Sequence, residues 1–164
     1  DVCSSDLGHI HAEADEDGIL RRLPMALKHQ EIWIPTLGIA AITSSGLAMH
    51  SDTTSAFFGG MELSIDKHRF FVDKHAEALL NFYPFEKHER ISAVDILNGV
   101  VDGGRLRDKY VLIGSTALGL DSTYTLSDGS VRSGVFIHTT LLENILNNDL
   151  GVQPLLYRTL NFIL

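Results

Sequence analysis

The chain has 164 residues, of which 45% are hydrophobic and 21% are charged, and its formal net charge is −8. This composition is that of a folded globular domain and excludes a disordered segment. The scattered lysines and arginines exclude the basic footprint of a nucleic-acid-binding protein. Because Cys3 is the only cysteine, an intrachain disulfide is excluded as well.

The first seven residues do not fit a folded element. Residues 1–7 read DVCSSDL and show neither periodicity nor a targeting pattern. The run resembles the translation of a sequencing-adapter tail, so we predict that it is a non-native segment and exclude it from the fold. Under this interpretation Cys3 does not belong to the natural protein.

The next part of the chain predicts short strands. Residues 8–14 and 19–27 flank the turn sequence DEDG, which predicts a hairpin, and Pro24 places the returning strand near an edge or a bulge. A second turn at 28–30 precedes a short strand at 31–34. Pro35 then suits the beginning of a helix.

The middle of the chain predicts β-structure and one helix. Residues 51–60 form a polar-to-glycine loop. Residues 61–83 predict a β-region, because apolar residues alternate with polar ones at 61–65 and apolar runs follow at 70–72 and 78–82. Ser92 is predicted to cap a helix that runs to residue 99, with Asp95 in the capping-box position. The sequence DGG at 102–104 then interrupts the chain.

The most informative stretch is KYVLIGSTALG at 109–119. The apolar run 110–113 predicts a core strand that is covered on both faces. Small residues follow at its carboxyl end, where open α/β sheets bind ligands. A core strand with an ordinary loop is the alternative. The predicted ligand-binding residues are Gly114, Ser115, Thr116, Asp121 and His138.

The last helix has a clear apolar stripe. Leu141, Leu142, Ile145 and Leu146 recur at helical spacing, which predicts a helix that GVFIH at 134–138 leads into and that runs to about residue 148. Beyond it, residues 155–164 are apolar over about half the ~20 residues of a membrane span. They predict either the start of a transmembrane helix or a short amphipathic helix.

Sequence motifs for metals and phosphates are incomplete. The acidic run 13–18 imitates a calcium loop, but Pro24 occupies the position of its bidentate acid, so a turn is predicted. His9 and His11 are spaced to share one face of a strand, without an HExxH motif or a cysteine pair beside them. The glycines at 114 and 119 lack the lysine of a phosphate loop. We therefore predict no metal and no cofactor.

Catalytic and pH-sensing interpretations are also weighed. Ser115, Asp121 and His138 are the residue types of a hydrolase triad, but GxSxG is absent and composition alone does not define a triad. The eight histidines could sense acid, since their reference pKa is ~6.5, or could lie exposed without a switching role.

Three blocks of sequence carry a resemblance to a known family. The first block is GHI at 8–10 with DEDGILRRLP at 15–24. The second is LNFY at 80–83 with ISAVDILNG at 91–99. The third is LRDKYVLIGSTA at 106–117 with GVFIH at 134–138 and the helix that follows. In this order and spacing the blocks resemble the type-two CHASE domain (cyclase- and histidine-kinase-associated sensing extracellular domain). Their order and spacing, rather than any one block, make the resemblance specific.

The resemblance implies an α/β sensory module outside the bacterial inner membrane, with a mixed sheet flanked by helices and incomplete on its N-terminal side. In the family a membrane helix precedes the module, and further spans lead to a cytoplasmic nucleotide cyclase or protein kinase. The predicted division is a non-native segment at 1–7, the C-terminal part of a sensory domain at 8–150, and a linker with the start of a membrane helix at 151–164.

The sequence therefore predicts a non-enzymatic input domain for an unknown small-molecule ligand, joined to the membrane through flanking helices. A homodimer is a further expectation. The alternatives are a ligand-free structural or dimerisation module and a soluble hydrolase fragment. A fragment that lacks the first strands has an unpaired sheet edge and uncovered apolar faces, which promote association. For the same reason we expect this fragment to be less stable in urea than a complete domain.

Overall fold

The structure is a computed structural model that describes residues 7–47, 49–52, 61–73, 75–84, 89–115 and 122–151. Its helices are α1 (Leu37–Thr43), α2 (Ala93–Leu97) and α3 (Gly134–Asn147), with a 3₁₀ turn at Gly103–Leu106. Its strands are β1 (Arg22–Pro24), β2 (Ala26–His29), β3 (Ile32–Pro35), β4 (Met49–Asp52), β5 (Met61–Ile65), β6 (His68–Val72), β7 (Glu77–Leu79), β8 (Thr123–Thr125) and β9 (Val131–Ser133).

The strands form four small antiparallel sheets. β2 pairs with β3 and β8 with β9 as hairpins, β4, β5 and β6 make a three-stranded meander, and β1 pairs with the distant β7. Parallel pairing occurs as isolated bridges, at His9 with Thr36 and at Ile19 with Thr125. The α/β fold class predicted from the sequence is confirmed, with small sheets.

The core lies between α3 and the sheets. Phe136, Ile137, Leu141, Leu142 and Ile145 are buried, which confirms the apolar stripe. α3 contacts α1, β6 and β9. At the crossing with α1 a Cβ on Gly38 would lie 3.2 Å from Leu141 Cδ2, so the two helices approach closely at this glycine and a larger residue would require Leu141 to shift.

The predicted β-region at 61–83 is confirmed by β5, β6 and β7. Leu63 and Ile65 of β5 and Phe70 and Val72 of β6 are buried, while Phe71 between them is exposed. The two-residue periodicity therefore places one face of this hairpin on the core. β4 begins before the predicted loop and includes residues 51 and 52, and residues 53–60 lie outside the described residues.

A buried amide joins α3 to the chain that follows β7. Asn144 is fully buried; its Oδ1 accepts the Asn81 amide at 2.9 Å, and its Nδ2 donates to the Asn81 carbonyl at 3.0 Å. One side chain thus satisfies both main-chain groups of a residue outside any sheet ladder. Because two part-buried hydrogen bonds reach one residue from a buried side chain, Asn144 fixes the position of residue 81 on the helix.

The predicted hairpin of 8–14 with 19–27 is wrong, although its turn is confirmed. Gly18 donates to the Asp15 carbonyl at 2.8 Å, and Gly18 adopts a φ of 79° that suits glycine. Residues 8–14 do not form a strand: His9 instead donates to the Pro35 carbonyl at 2.9 Å and bridges to Thr36. The residues after the turn pair with a distant part of the chain instead. The main-chain groups of β1 form their hydrogen bonds with β7.

Two helix starts differ from the sequence-based expectation. Pro35 ends β3 and Thr36 is the N-cap of α1. α2 follows Ser92 as predicted, but the Ser92 side chain makes no capping hydrogen bond. The side-chain cap lies further on, where Asp102 accepts from the Gly104 amide at 3.1 Å at the start of the 3₁₀ turn.

The predicted core strand at 110–113 is wrong. These residues form no strand, and Tyr110, Val111 and Ile113 expose 39%, 50% and 90% of their surface. Leu112 alone packs partly against the core. An apolar run becomes a buried strand only where neighbouring strands and helices cover it, and no described strand pairs with this one.

We expect the Asn144→Leu variant to lose about 1–3 kcal/mol of unfolding free energy, since leucine removes both part-buried hydrogen bonds to the Asn81 main chain. Urea unfolding followed by circular dichroism measures the loss. Asn98→Leu, the same replacement at an exposed helix end, is the control and should change stability by less than about 0.5 kcal/mol. Equal midpoints for the two variants would contradict this role.

Candidate functional site

Of the predicted ligand residues, the structure places Gly114 beside the first turn of α3 and His138 within that helix. Gly114 and Ser115 are exposed, whereas Thr116 and Asp121 lie outside the described residues. A Cβ on Gly114 would lie 2.7 Å from Val135 Cβ, so the turn rests directly on the beginning of α3. Val135 is one helical turn before His138. The assignment of these residues to a ligand site stays a prediction.

His138 is held inside the fold. Only 3% of its surface is exposed, and its Nε2 lies 3.3 Å from the Ile10 carbonyl oxygen. Because that oxygen can only accept, the bond assigns the imidazole proton to Nε2. This contact attaches the segment that precedes the first turn to the middle of α3, so His138 has a structural role whether or not it also contacts a ligand.

His9 lies in the same region and is destabilised in its charged form. Among the described residues, neither of its ring nitrogens has a hydrogen-bond partner, and both are buried. Burial, followed by the nearby charges that His138 and His11 would carry, lowers the pKa of His9 to about 4. His9 is therefore neutral at pH 7 and resists protonation in mild acid.

The carboxylates of the acidic turn at 15–18 bind arginine side chains and are not arranged around a metal ion. Arg21 donates to Asp15 at 2.8 Å and to Asp17 at 2.7 and 3.0 Å, and Arg22 donates to Asp15 at 2.9 Å. The hydrogen bonds from Arg21 lower the pKa of Asp17 to about 2. Within the described ranges no group of three or more histidine, cysteine or acidic residues is arranged to hold a metal ion.

A cleft that the sequence analysis missed lies at the other side of the α3 start. It has a volume of about 370 Å³, within the range of small-molecule sites, and combines aromatic and charged side chains. The segment after β7, the β8–β9 hairpin and α3 each contribute to it. Its lining residues are Phe82, Tyr83, Pro84, Leu126, Asp128, Ser130, Arg132 and Phe136.

The positive charge of the cleft is held over an aromatic ring. The Arg132 Cζ lies 5.7 Å from the centre of the Phe136 ring, a cation–π distance, and Arg132 Nη1 donates to the Val131 carbonyl at 3.1 Å. α3 begins directly after β9, which brings this arginine and this phenylalanine together.

The negative charge comes from the turn of the same hairpin. Asp128 Oδ1 accepts the Ser130 amide at 2.8 Å. Hydrogen bonds from Ser130, with a smaller contribution from the charge of Arg132, lower the pKa of Asp128. The carboxylate is therefore ionised at neutral pH, and one hairpin presents both signs of charge at the cleft.

Tyr83, one of the aromatic residues that line the cleft, is held in place by a hydrogen bond. The Tyr83 hydroxyl donates to the Asp149 carboxylate, which also accepts from Asn81 Nδ2 at 2.9 Å. Burial, together with the bond to Asp149, raises the pKa of Tyr83. The tyrosine ring is thus held at the cleft by residues at the end of α3. The adjacent aromatic residues Phe82 and Tyr83 were a signal for this cleft in the sequence. Only the tertiary fold, however, places them opposite residues about 50 positions later in the chain.

The comparison with known families identifies the family of this chain. The family model for the CHASE2 domain matches residues 3–163, nearly the whole chain. No curated protein and no solved structure shows a significant match. The chain belongs to the CHASE2 domain family, an extracellular sensory domain family of signalling receptors, and the family is sensory rather than catalytic. The resemblance seen in the three sequence blocks is confirmed.

The membrane prediction for residues 151–164 is not decided by the fold. Among helices in the described part of the chain, none combines the length and the apolar character that a bilayer crossing requires. Residues 152–164 lie outside the described residues, so their assignment to a linker and a membrane helix stays a prediction. The division at residue 7 also stays a prediction.

The lowered pKa of His9 predicts acid sensitivity. Between pH 6.5 and about 4 the unfolded chain binds a proton at His9 that the folded chain does not, so stability falls as the pH falls through this window. Because the ring is only half-buried, solvent screening reduces the effect to about 1–2 kcal/mol. Urea unfolding at pH 7 and at pH 4.5 measures it.

The matched variant is His9→Gln, which removes the titration but keeps a polar side chain of similar length. Its stability should fall less between the two pH values than that of the wild-type chain. His29→Gln, at an exposed histidine of β2, should behave like the wild type. The same pH dependence in all three proteins would remove His9 as the cause.

Proposed function

We propose that this chain is the extracytoplasmic input domain of a bacterial transmembrane receptor, anchored in the inner membrane and coupled to a cytoplasmic nucleotide cyclase or protein kinase. The observation that carries this proposal is the CHASE2 match over residues 3–163. The structure supports a binding role, because a cleft with charged and aromatic lining lies at the start of the longest described helix.

The course of α3 suggests how binding could be transmitted. Its first turns carry Phe136 of the cleft, and its end leads to Gly151, which donates to the Leu79 carbonyl at 2.9 Å. The predicted membrane segment follows Gly151. A ligand that binds one position of α3 more tightly than another shifts the population of that position by its difference in affinity.

Membrane orientation tests the proposal. In the complete receptor with its own cysteines replaced by serine, a single cysteine at Lys67→Cys places a thiol on the exposed β5–β6 turn. A membrane-impermeant maleimide should label it in intact spheroplasts as fully as in lysed cells. Labelling only after lysis would place the domain in the cytoplasm and contradict the proposal.

Two controls accompany this experiment. Ala78→Cys, at a position with 1% exposure, should react only after denaturation and shows that the reagent reports the folded domain. A cysteine in the cytoplasmic output part of the receptor should react only after lysis and shows that the membrane is intact.

A role in homodimerisation is the second candidate, and the exposed segment 110–113 favours it. No hydrogen bond between described residues involves the main chain of this segment, and Val111 and Ile113 are exposed. In antiparallel pairing of two copies, residue 110 would oppose 113 and Lys109 would oppose Gly114, so no like charges meet. An exposed apolar segment whose main chain has no partner among the described residues favours association with a second copy.

Sedimentation equilibrium distinguishes this role. The wild-type chain should associate as its concentration rises, and Ile113→Lys should shift it toward monomer. The matched control is Ile32→Lys, since Ile32 is also an exposed isoleucine but lies in the β2–β3 hairpin. A monomer at all concentrations, or equal association of both variants, would contradict dimerisation through this segment.

A further inference from the structure

We propose that the cleft between residues 82–84, the β8–β9 hairpin and the start of α3 binds a free aromatic α-amino acid as its zwitterion. The inference rests on the proposed sensory function and names the class of ligand. It is carried by three features of one site: opposite charges on a single hairpin, aromatic rings on the facing elements, and a volume of about 370 Å³.

The two charges match the two charges of an amino acid. Arg132 and Asp128 both line the cleft and lie on the same hairpin. A guanidinium binds a carboxylate through parallel N–H groups, and an ionised carboxylate accepts from an ammonium group. A simple anion would meet the repulsion of Asp128 and a simple cation that of Arg132, whereas a zwitterion satisfies both.

The fold keeps these charges in place before any ligand arrives. Arg132 is stacked on Phe136, and Asp128 is fixed by the Ser130 amide. Because the side chains are already restrained, binding has less conformational entropy to remove. The carboxylate–ammonium spacing of an α-amino acid is short, and both partners come from one tight turn and the strand that follows it.

The apolar part of the cleft selects the side chain. Leu126, which is 2% exposed, and the rings of Phe82, Tyr83 and Phe136 supply its apolar surface. Aromatic rings pack favourably on one another in offset or edge-to-face arrangements. The lining therefore favours phenylalanine-like ligands over small or acidic amino acids.

Calorimetric titration of the 164-residue chain at pH 7 tests the proposal with three matched probes. L-Phenylalanine carries both charges, 3-phenylpropanoate lacks the ammonium group, and 2-phenylethylamine lacks the carboxylate. We expect L-phenylalanine to bind and each of the other two to bind at least tenfold more weakly, since a lost charged hydrogen bond is worth about 1.5–3 kcal/mol, and 1.4 kcal/mol is tenfold.

Two variants test which side chain of the cleft binds each charged group of the ligand. Asp128→Asn keeps an oxygen that can accept the Ser130 amide and removes only the charge, so the turn should persist. It should weaken L-phenylalanine and 2-phenylethylamine but not 3-phenylpropanoate. Arg132→Gln should weaken L-phenylalanine and 3-phenylpropanoate but not 2-phenylethylamine. Lys67→Gln, on a distant exposed turn, is the control and should change none of the affinities.

The outcomes separate this inference from the proposed function. Absence of L-phenylalanine binding, equal binding of all three probes, or binding unchanged in both variants overturns the amino-acid site and leaves the membrane orientation untouched. Selective binding to the chain supports the site on its own. If L-phenylalanine then fails to alter the output activity of the complete receptor, the site stands and the sensory proposal fails.

Discussion

The buried face of α3 is the constraint on which the rest of the described structure depends. It packs against the helix α1 and against β6 and β9, which belong to two different sheets, and so joins three separate elements of the fold. Asn144 adds a directional contact to this apolar face, because its amide satisfies both main-chain groups of Asn81. Apolar packing holds the helix in the core, and the amide sets its register against the chain that follows β7.

The candidate sites follow from that position of α3. Its first turns meet the Gly114 turn, its middle holds His138 against Ile10, and its opposite side closes the cleft with Phe136. Asp149, just beyond its end, holds Tyr83 at the same cleft. A single helix thus contacts every region that we consider for binding. This arrangement suits a sensory domain, in which a small movement of one element must reach the others.

Sequence periodicity predicted the elements whose environment is local. The α3 stripe and the alternation in β5 each have one buried face, so a repeat of 3.6 or 2 residues identifies them. The turn at Asp15 and Gly18 was also predictable, because its residue types suit the required main-chain geometry. The family itself was recognised from blocks whose order and spacing are preserved, and the CHASE2 match confirms it.

The remaining features depend on long-range contacts that periodicity does not contain. Residues 110–113 have the composition of a buried strand, yet burial requires a partner strand, and none of the described strands pairs with them. In the sequence, Asn144 is an ordinary polar residue of a helix. Its role follows only from the tertiary contact with Asn81. The cleft joins residues 82–84 to residues 126–136, and no spacing rule relates two such distant segments.

Hydrogen–deuterium exchange of the main-chain amides tests most directly whether α3 organises this domain. The account predicts that the α3 amides from Ile137 to Ile145 exchange slowest, together with the Asn81 amide that Asn144 binds. The amides of α2, which has no buried residues, should exchange early. If α3 exchanges as fast as α2, or if the Asn81 amide exchanges freely while α3 is protected, the central role of this helix is contradicted.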